Sequence, residues 1–141
     1  MNSFSEYYVT FRIQHDELEP SQITDMLDIT PDFACKKGGH RTRVTKKGKV
    51  LELPPYPAGI WRIDSTNAKT DILDTHINSL SELLYPRSLS LAKLYDEGYT
   101  LDMMCSIFAH NCNQPGFGIS PIVISKMGSL NISLQVSIYC V

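Results

Sequence analysis

Cysteine and histidine carry the most reactive chemistry in this sequence, because they can bind zinc or act as a nucleophile and its base. Cys105, His110 and Cys112 follow one another with C-x4-H-x-C spacing, and Cys35 and His40 with C-x4-H spacing. Neither spacing matches a zinc finger or a zinc ribbon, so buried cysteines beside loop histidines are the favoured interpretation. We therefore predict no metal site and no cofactor.

A catalytic nucleophile also needs an activating base and an orienting acid beside it. Cys112 with the nearby His110 is the best available pair, while His76, on a predicted helix, is better explained as a packed or half-exposed histidine than as a base. The sequence contains no nucleophile elbow, no HExxH motif and no phosphate-binding loop. We predict that the chain is not an enzyme.

A basic segment between Lys36 and Lys49 has seven lysines or arginines and no acidic residue, although the net charge of the chain is −2. Such a segment can bind an acidic protein surface or nucleic acid, or can simply keep an exposed hairpin soluble. It contains no aromatic residue for base stacking, so nucleic acid is the least favoured partner. The candidate binding residues in this segment are Lys37, Arg41, Arg43, Lys46, Lys47 and Lys49.

The elements that must position these residues follow from hydrophobic periodicity. Apolar residues at every second position predict strands over residues 7–13, 60–65, 101–109 and 132–140. Helical spacing predicts helices over residues 20–30, 70–86, 88–97 and 120–128. The residues flanking the charged turn 46–49 are typical of a β-hairpin.

This order of elements predicts an α+β fold. A ferredoxin-like or related open-faced sandwich fits best, with two βαβ-type halves and helices mainly on one face of a mostly antiparallel sheet. The spacing of Pro20, Ile23 and Met26 recurs at Pro121, Ile124 and Met127, which suggests two related halves.

Length and composition predict a single domain spanning residues 1–141. Neither a signal peptide nor a membrane span is recognisable, so we expect a cytoplasmic protein.

Several short motifs resemble those of a bacterial family known as domain of unknown function 4279. The matching residues are Leu27, Ile29, Pro31, Lys37, Gly38, Arg41, Gly59, Trp61, Ser65 and the closing segment ISPIVISKMGSLNISLQVSIY. The resemblance covers nearly the whole chain, with Asp28 where the family has a glycine in a left-handed turn. It implies no reaction, but a bacterial cytosol and relatives similar to immunity proteins encoded beside toxins.

Within this pattern, Trp61 either fills the core with its N–H satisfied or lines a groove, and the core is favoured. If Arg41, Trp61 and Ser65 cluster, they could form a small polar and aromatic pocket that binds a partner or ligand. They could equally tie the basic hairpin to the sheet.

The leading hypothesis is a non-enzymatic protein-binding domain, most concretely an immunity protein that neutralises a cognate toxin. One alternative is an ACT-like regulatory module that binds a small ligand between subunits. Another is weak nucleic-acid binding through the basic hairpin. We thus expect a protein partner and no membrane association, with a homodimer as a further option.

Overall fold

The computed structural model describes residues 5–110 and 117–141. The strands are β1 (Glu6–His15), β2 (Phe33–Cys35), β3 (Arg41–Val44), β4 (Val50–Leu53), β5 (Gly59–Asp64), β6 (Thr100–Ala109) and β7 (Ser133–Cys140). The helices are α1 (Pro20–Leu27), α2 (Leu73–Leu84), α3 (Ser88–Asp96) and α4 (Pro121–Ser129), with a 3-10 turn at Tyr85–Arg87.

Five strands form the main sheet in the order β2-β5-β1-β6-β7, and β3 and β4 form a separate two-stranded sheet. Among the described strands of the main sheet, the neighbours β6 and β7 are parallel and the other neighbouring pairs are antiparallel. The predicted α+β class and mostly antiparallel sheet are therefore confirmed. Strands β1 and β2, which α1 connects, run in the same direction with β5 between them. Strands β5 and β6, which α2 and α3 connect, likewise run in the same direction with β1 between them. Helix α4 connects β6 to β7, its parallel neighbour in the sheet.

One face of the sheet carries the core. Val9, Phe11 and Ile13 of β1 are buried, whereas the alternating residues Thr10 and Arg12 are only partly buried. The buried faces of the strands join apolar residues of all four helices in one cluster. This alternation leaves the opposite side of the sheet without a covering helix among the described residues, as the period-2 pattern predicts.

The basic hairpin forms as predicted. Val44 pairs with Val50, and the turn between them closes with the Gly48 N–H donating to the Thr45 carbonyl at 2.9 Å. Gly48 has a φ of 81°, a conformation that glycine adopts without steric cost. Lys46 and Lys47 lie at the exposed tip.

Some local features differ from the sequence interpretation. The helix predicted from residue 70 begins at Leu73. The repeated helical pattern does not repeat in burial, because Ile23 is buried and Ile124 is 55% exposed. Asp28 ends α1 in the left-handed conformation with a φ of 53°, as expected where the family has a glycine.

No helix in the part of the chain that the structure describes is long and apolar enough to cross a membrane.

Candidate functional site

The side of the sheet that faces away from the helices, here called the open face, carries the alternate residues of β1, β2, β5, β6 and β7. At its centre is a cavity of about 380 Å³, within the size range of small-molecule sites. Its lining includes Tyr8, Arg12, Phe33, Tyr56, Arg62 and Met104. Strands β1, β5 and β6 contribute most of these residues, so the cavity rests on the three central strands of the sheet.

An ion pair lies on the central strands. Arg12 and Asp102 are directly opposite each other on β1 and β6. The Arg12 guanidinium donates two hydrogen bonds to the Asp102 carboxylate, with N–O distances of 2.9 and 2.7 Å. Asp102 is buried and Arg12 keeps partial access to solvent. The hydrogen bond and charge of Asp102 raise the pKa of Arg12 against the effect of burial, so Arg12 stays charged at neutral pH.

One margin of the open face carries four side chains in successive contact, which we call the cation–aromatic ladder: Arg62, Phe33, Tyr56 and Arg41. The Arg62 guanidinium lies 5.3 Å from the Phe33 ring centre, and the Phe33 and Tyr56 rings are 5.4 Å apart. The Arg41 guanidinium lies 4.8 Å from the Tyr56 ring centre. Because Arg41 begins β3, the ladder attaches the basic hairpin to the main sheet.

A second aromatic group lies on β1, β6 and β7. The Phe108 ring stacks on Tyr139 at 5.1 Å and meets Tyr8 in an edge-to-face contact at 5.4 Å. The Lys69 ammonium lies 5.2 Å from the centre of the Tyr8 ring. The open face therefore combines aromatic rings with cations on both sides of the central cavity.

The structure separates the basic segment into paired and unpaired charges. Lys36 and Lys37 form ion pairs with Glu19 (3.0 Å) and Asp16 (3.2 Å) in and after the turn that follows β1. Four further candidates, all exposed, make no ion pair with any described residue; they are Arg43, Lys46, Lys47 and Lys49. The positive charge available to a partner is therefore concentrated in the β3–β4 hairpin.

Trp61, Arg41 and Ser65 do not form one pocket. Trp61 is fully buried on the helical side of the sheet, where its indole N–H donates to the Thr24 hydroxyl at 3.1 Å. Arg41 instead belongs to the cation–aromatic ladder. The core interpretation of Trp61 and the attachment role of Arg41 therefore agree with this arrangement.

Ser65 lies beside a buried histidine. Its Oγ is 2.6 Å from Nδ1 of His76, and it also accepts a hydrogen bond from the Asn67 backbone N–H at 3.2 Å. These groups line a cavity of about 350 Å³. Burial lowers the pKa of His76, and the nearby Asp71 carboxylate opposes this effect. His76 is consequently neutral at pH 7 and is packed, as the sequence favoured.

The thiols with a resolved pKa shift are poor nucleophiles. Burial raises the pKa of Cys105 to about 12, and the charge of Asp102 adds to the effect. Burial also raises the pKa of Cys35, although Arg41 opposes it. Both thiols are protonated at neutral pH, and a thiol reacts through its thiolate.

Cys112, which belongs to both the C-x4-H-x-C spacing and the Cys112–His110 pair, lies outside the described residues. His110 is described, and its Nε2 is 3.7 Å from a carboxylate oxygen of Glu6. Residues 5–110 and 117–141 contain no cluster of three or more potential metal ligands.

Sequence reasoning missed most of the open face. Phe33 belongs to a three-residue strand, too short to show periodicity, and Tyr56 lies in a proline-rich loop. Arg12 and Arg62 were recognisable as polar alternates of predicted strands, but their neighbours depend on pairing between distant strands. The period-2 alternation of the strands predicted which side chains point away from the core, but it did not show which of these side chains contact one another.

The fold and this surface define an α+β domain with one sheet face that no described helix covers and that is rich in aromatic residues and arginine. The chain belongs to the family described as Domain of unknown function (DUF4279), whose model matches residues 5–141. No curated protein and no solved structure was found to match the chain. The family resemblance expected from the short motifs is confirmed.

Proposed function

We propose that this chain is a non-enzymatic protein-binding domain whose binding surface is the open face together with the basic hairpin. The observation that carries the proposal is the composition of the open face, where arginines and aromatic rings surround a cavity that no described helix covers. Protein interfaces are enriched in aromatic residues, methionine and arginine, and these residue types supply much of their binding energy.

The partner we propose presents an acidic surface. Lys46, Lys47 and Lys49 are exposed and make no ion pair with a described residue, and Arg41 attaches their hairpin to the margin of the open face. Carboxylates of a partner could meet these cations while apolar groups contact the rings. Opposite charges of this kind accelerate association and select the partner.

The most concrete form of the proposal is a bacterial immunity protein, acting in the cytoplasm, that neutralises a toxin encoded by a neighbouring gene. This form comes from the resemblance of some relatives in the family to immunity partners. The surface chemistry supports an acidic protein, and a toxin with an acidic face around its active site would fit it.

Two observations support binding rather than catalysis. Cys105 is buried with a pKa of about 12, so it provides no thiolate at neutral pH. Ser65 hydrogen-bonds to both Asn67 and the buried His76, an arrangement that also serves to hold a loop against α2.

The arrangement of the aromatic rings favours a protein over nucleic acid. Base stacking requires an accessible ring face. Tyr8, Phe33 and Tyr56 each have a cation over the ring, and Phe108 stacks on Tyr139. The open face therefore offers ring edges and side-chain cations more readily than flat stacking platforms.

A small ligand is the second candidate, because the central cavity has the volume of a small-molecule site and is lined by Arg12 and Arg62. This corresponds to the ACT-like alternative. An anionic, planar compound would suit these groups, and its binding would raise the melting temperature by an amount that grows with the logarithm of the ligand concentration relative to its Kd.

The test is co-expression with the product of the neighbouring gene. We expect the wild-type chain to suppress its toxicity and to co-purify with it. Replacing Lys46, Lys47 and Lys49 together by glutamate should slow association at least tenfold, because steering by charge is reversed. Lys93→Glu on α3 is the matched control, since this exposed lysine lies in the helical layer, and it should have no effect.

A neighbouring product that is harmless, or that fails to co-purify, would contradict the immunity form of the proposal. Equal loss of binding in the Lys93→Glu control would contradict the assignment of the surface. Binding to single-stranded DNA or RNA at low salt that is lost in the triple variant would favour nucleic acid instead. A melting shift with a metabolite, and no protein partner, would favour the small-ligand candidate.

A further inference from the structure

The last strand, β7, forms one edge of the main sheet, and none of the described residues pairs with its outer side. Its sequence, SLQVSIYC, contains no charged residue, no proline and no glycine. Edge strands usually carry such residues, because they prevent another strand from pairing with the exposed backbone groups. Within the part of the chain that the structure describes, β7 is therefore an edge that is open to strand addition.

The other edge of the sheet is built differently. β2 has only three residues, and Lys36 and Lys37 follow it directly. A short edge strand flanked by lysines resists pairing. Among the described residues, the fold thus protects the β2 edge against pairing and leaves the β7 edge exposed.

The side chains of β7 also indicate a missing neighbour. Leu134 and Ile138 are in register with the buried residues Met103 and Ile107 of β6, so they lie on the core side of the sheet. They nevertheless remain 37% and 40% exposed. An additional strand beside β7 would remove this apolar surface from water.

We infer that a second copy of this chain occupies this edge, with the two β7 strands antiparallel about a two-fold axis perpendicular to the sheet. A register centred on Val136 places Leu134 opposite Ile138 of the second copy and Gln135 opposite Ser137 of the second copy. Every residue faces a residue on the same side of the sheet, and the main sheets join into one of ten strands.

An uncharged strand suits a copy of itself. A two-fold axis brings identical segments together, so any charge concentrated on β7 would meet a like charge, and like charges directly opposite are destabilising. β7 has no charge to repel, and its apolar residues match across the proposed axis. This inference does not rest on the proposed function, because it concerns backbone pairing along the outer side of β7 and uses neither the central cavity nor the basic hairpin.

Sedimentation equilibrium over a range of protein concentrations tests the inference. We expect the wild type to be a dimer. In the double variant Gln135→Lys with Ser137→Lys, the register places lysines opposite lysines, and the dimer dissociation constant should rise roughly tenfold or more. The matched double variant Gln135→Glu with Ser137→Lys places opposite charges together and should remain dimeric.

These substitutions should not disturb the fold, because the β6 residues opposite them, Met104 and Ser106, are uncharged. Hydrogen exchange of the wild type is a second readout that needs no variant. The β7 amides that point away from β6 should be protected at high concentration and lose protection on dilution.

A wild-type chain that stays monomeric at every concentration, with no concentration-dependent protection of β7, would overturn the inference. So would a dimer that both double variants preserve equally, because it would form through another surface. A monomer whose β7 amides become protected only when a different protein is added would replace the second copy with that protein.

Discussion

At the scale of single residues, the most consequential feature is one that local sequence patterns do not reveal. Arg12 and Asp102 are ninety positions apart and meet only because β1 and β6 pair in one particular register. Asp102 is buried on a side of the sheet where exposed polar residues are the rule, and the bidentate hydrogen bonds from Arg12 compensate for its lost hydration.

Removing this charge should destabilise the fold. We expect Asp102→Asn to lower the free energy of unfolding by about 1–3 kcal/mol, because Arg12 would keep a charge with a weaker partner. Asp64→Asn is the control, since the Asp64 carboxylate is half exposed and lies on β5, the neighbour of β1 on the side away from β6. This control substitution should lower the free energy of unfolding by about 0–1 kcal/mol. Urea unfolding measures both values, and equal losses would contradict the role given to the buried pair.

His76 gives the stability a pH dependence. Burial lowers its pKa in the folded chain below the ordinary value of 6.5. Between these two values the unfolded chain binds a proton that the folded chain does not, so stability rises with pH. We therefore expect the contribution of His76 to the free energy of unfolding to be fully present above about pH 6.5. This contribution should be lost progressively as the pH falls below 6.5 towards the lowered pKa of the folded chain.

Urea unfolding at pH 7.5 and 5.5 would measure this effect. The difference in unfolding free energy between the two pH values should shrink in His76→Gln. It should persist in His40→Gln, because the His40 side chain is exposed on the hairpin. A pH dependence that is unchanged in His76→Gln would rule out this origin.

At the scale of elements, the sequence predicted the α+β class, the hairpin and the long strands, because each shows a period-2 or helical pattern over several residues. It did not predict β2, whose three residues are too few for a pattern. It also did not predict the strand order, because the pairing of β1 with β5 and β6 depends on packing across the whole sheet. The basic hairpin could be predicted from the composition of residues 36–49. The cation–aromatic ladder could not, because it depends on the contact between Tyr56 and Phe33, which only the folded structure shows.

The structure also gives a physical reason for the glycine two residues before Trp61. A Cβ added at Gly59 would lie 2.7 Å from both the His15 carbonyl oxygen and the Leu18 Cβ. The loop after β1 thus passes directly over the start of β5, and only glycine fits there.

Gly59→Ala should therefore lower the free energy of unfolding by roughly 1–3 kcal/mol through overpacking. Gly128→Ala is the matched control, since an added Cβ there meets no atom within 4 Å. Because Gly128 lies within α4, alanine should stabilise the chain by up to roughly 1 kcal/mol. Thermal unfolding compares the two variants, and a stable Gly59→Ala would show that the loop can move away.

At the scale of the whole molecule, the two sides of the main sheet have different roles: one packs the core and the other carries the proposed binding surface. The helical side carries the core, and Trp61, which the sequence could have placed in a groove, is part of it. The open face carries the cavity, the ladder and the attachment of the basic hairpin. The proposed partner binds this side, and the proposed second copy adds at the β7 edge, so both can be present together.

Hydroxyl-radical footprinting of the chain, free and bound to the product of the neighbouring gene, tests the central claim most directly. Tyr8 on the open face is 37% exposed, and Tyr95 in the helical layer is 52% exposed. The oxidation of each tyrosine therefore reports whether a partner covers its side of the sheet. We predict that binding protects Tyr8 from oxidation and leaves Tyr95 unchanged. Protection of Tyr95 with Tyr8 unaffected would contradict the assignment of the open face as the binding surface.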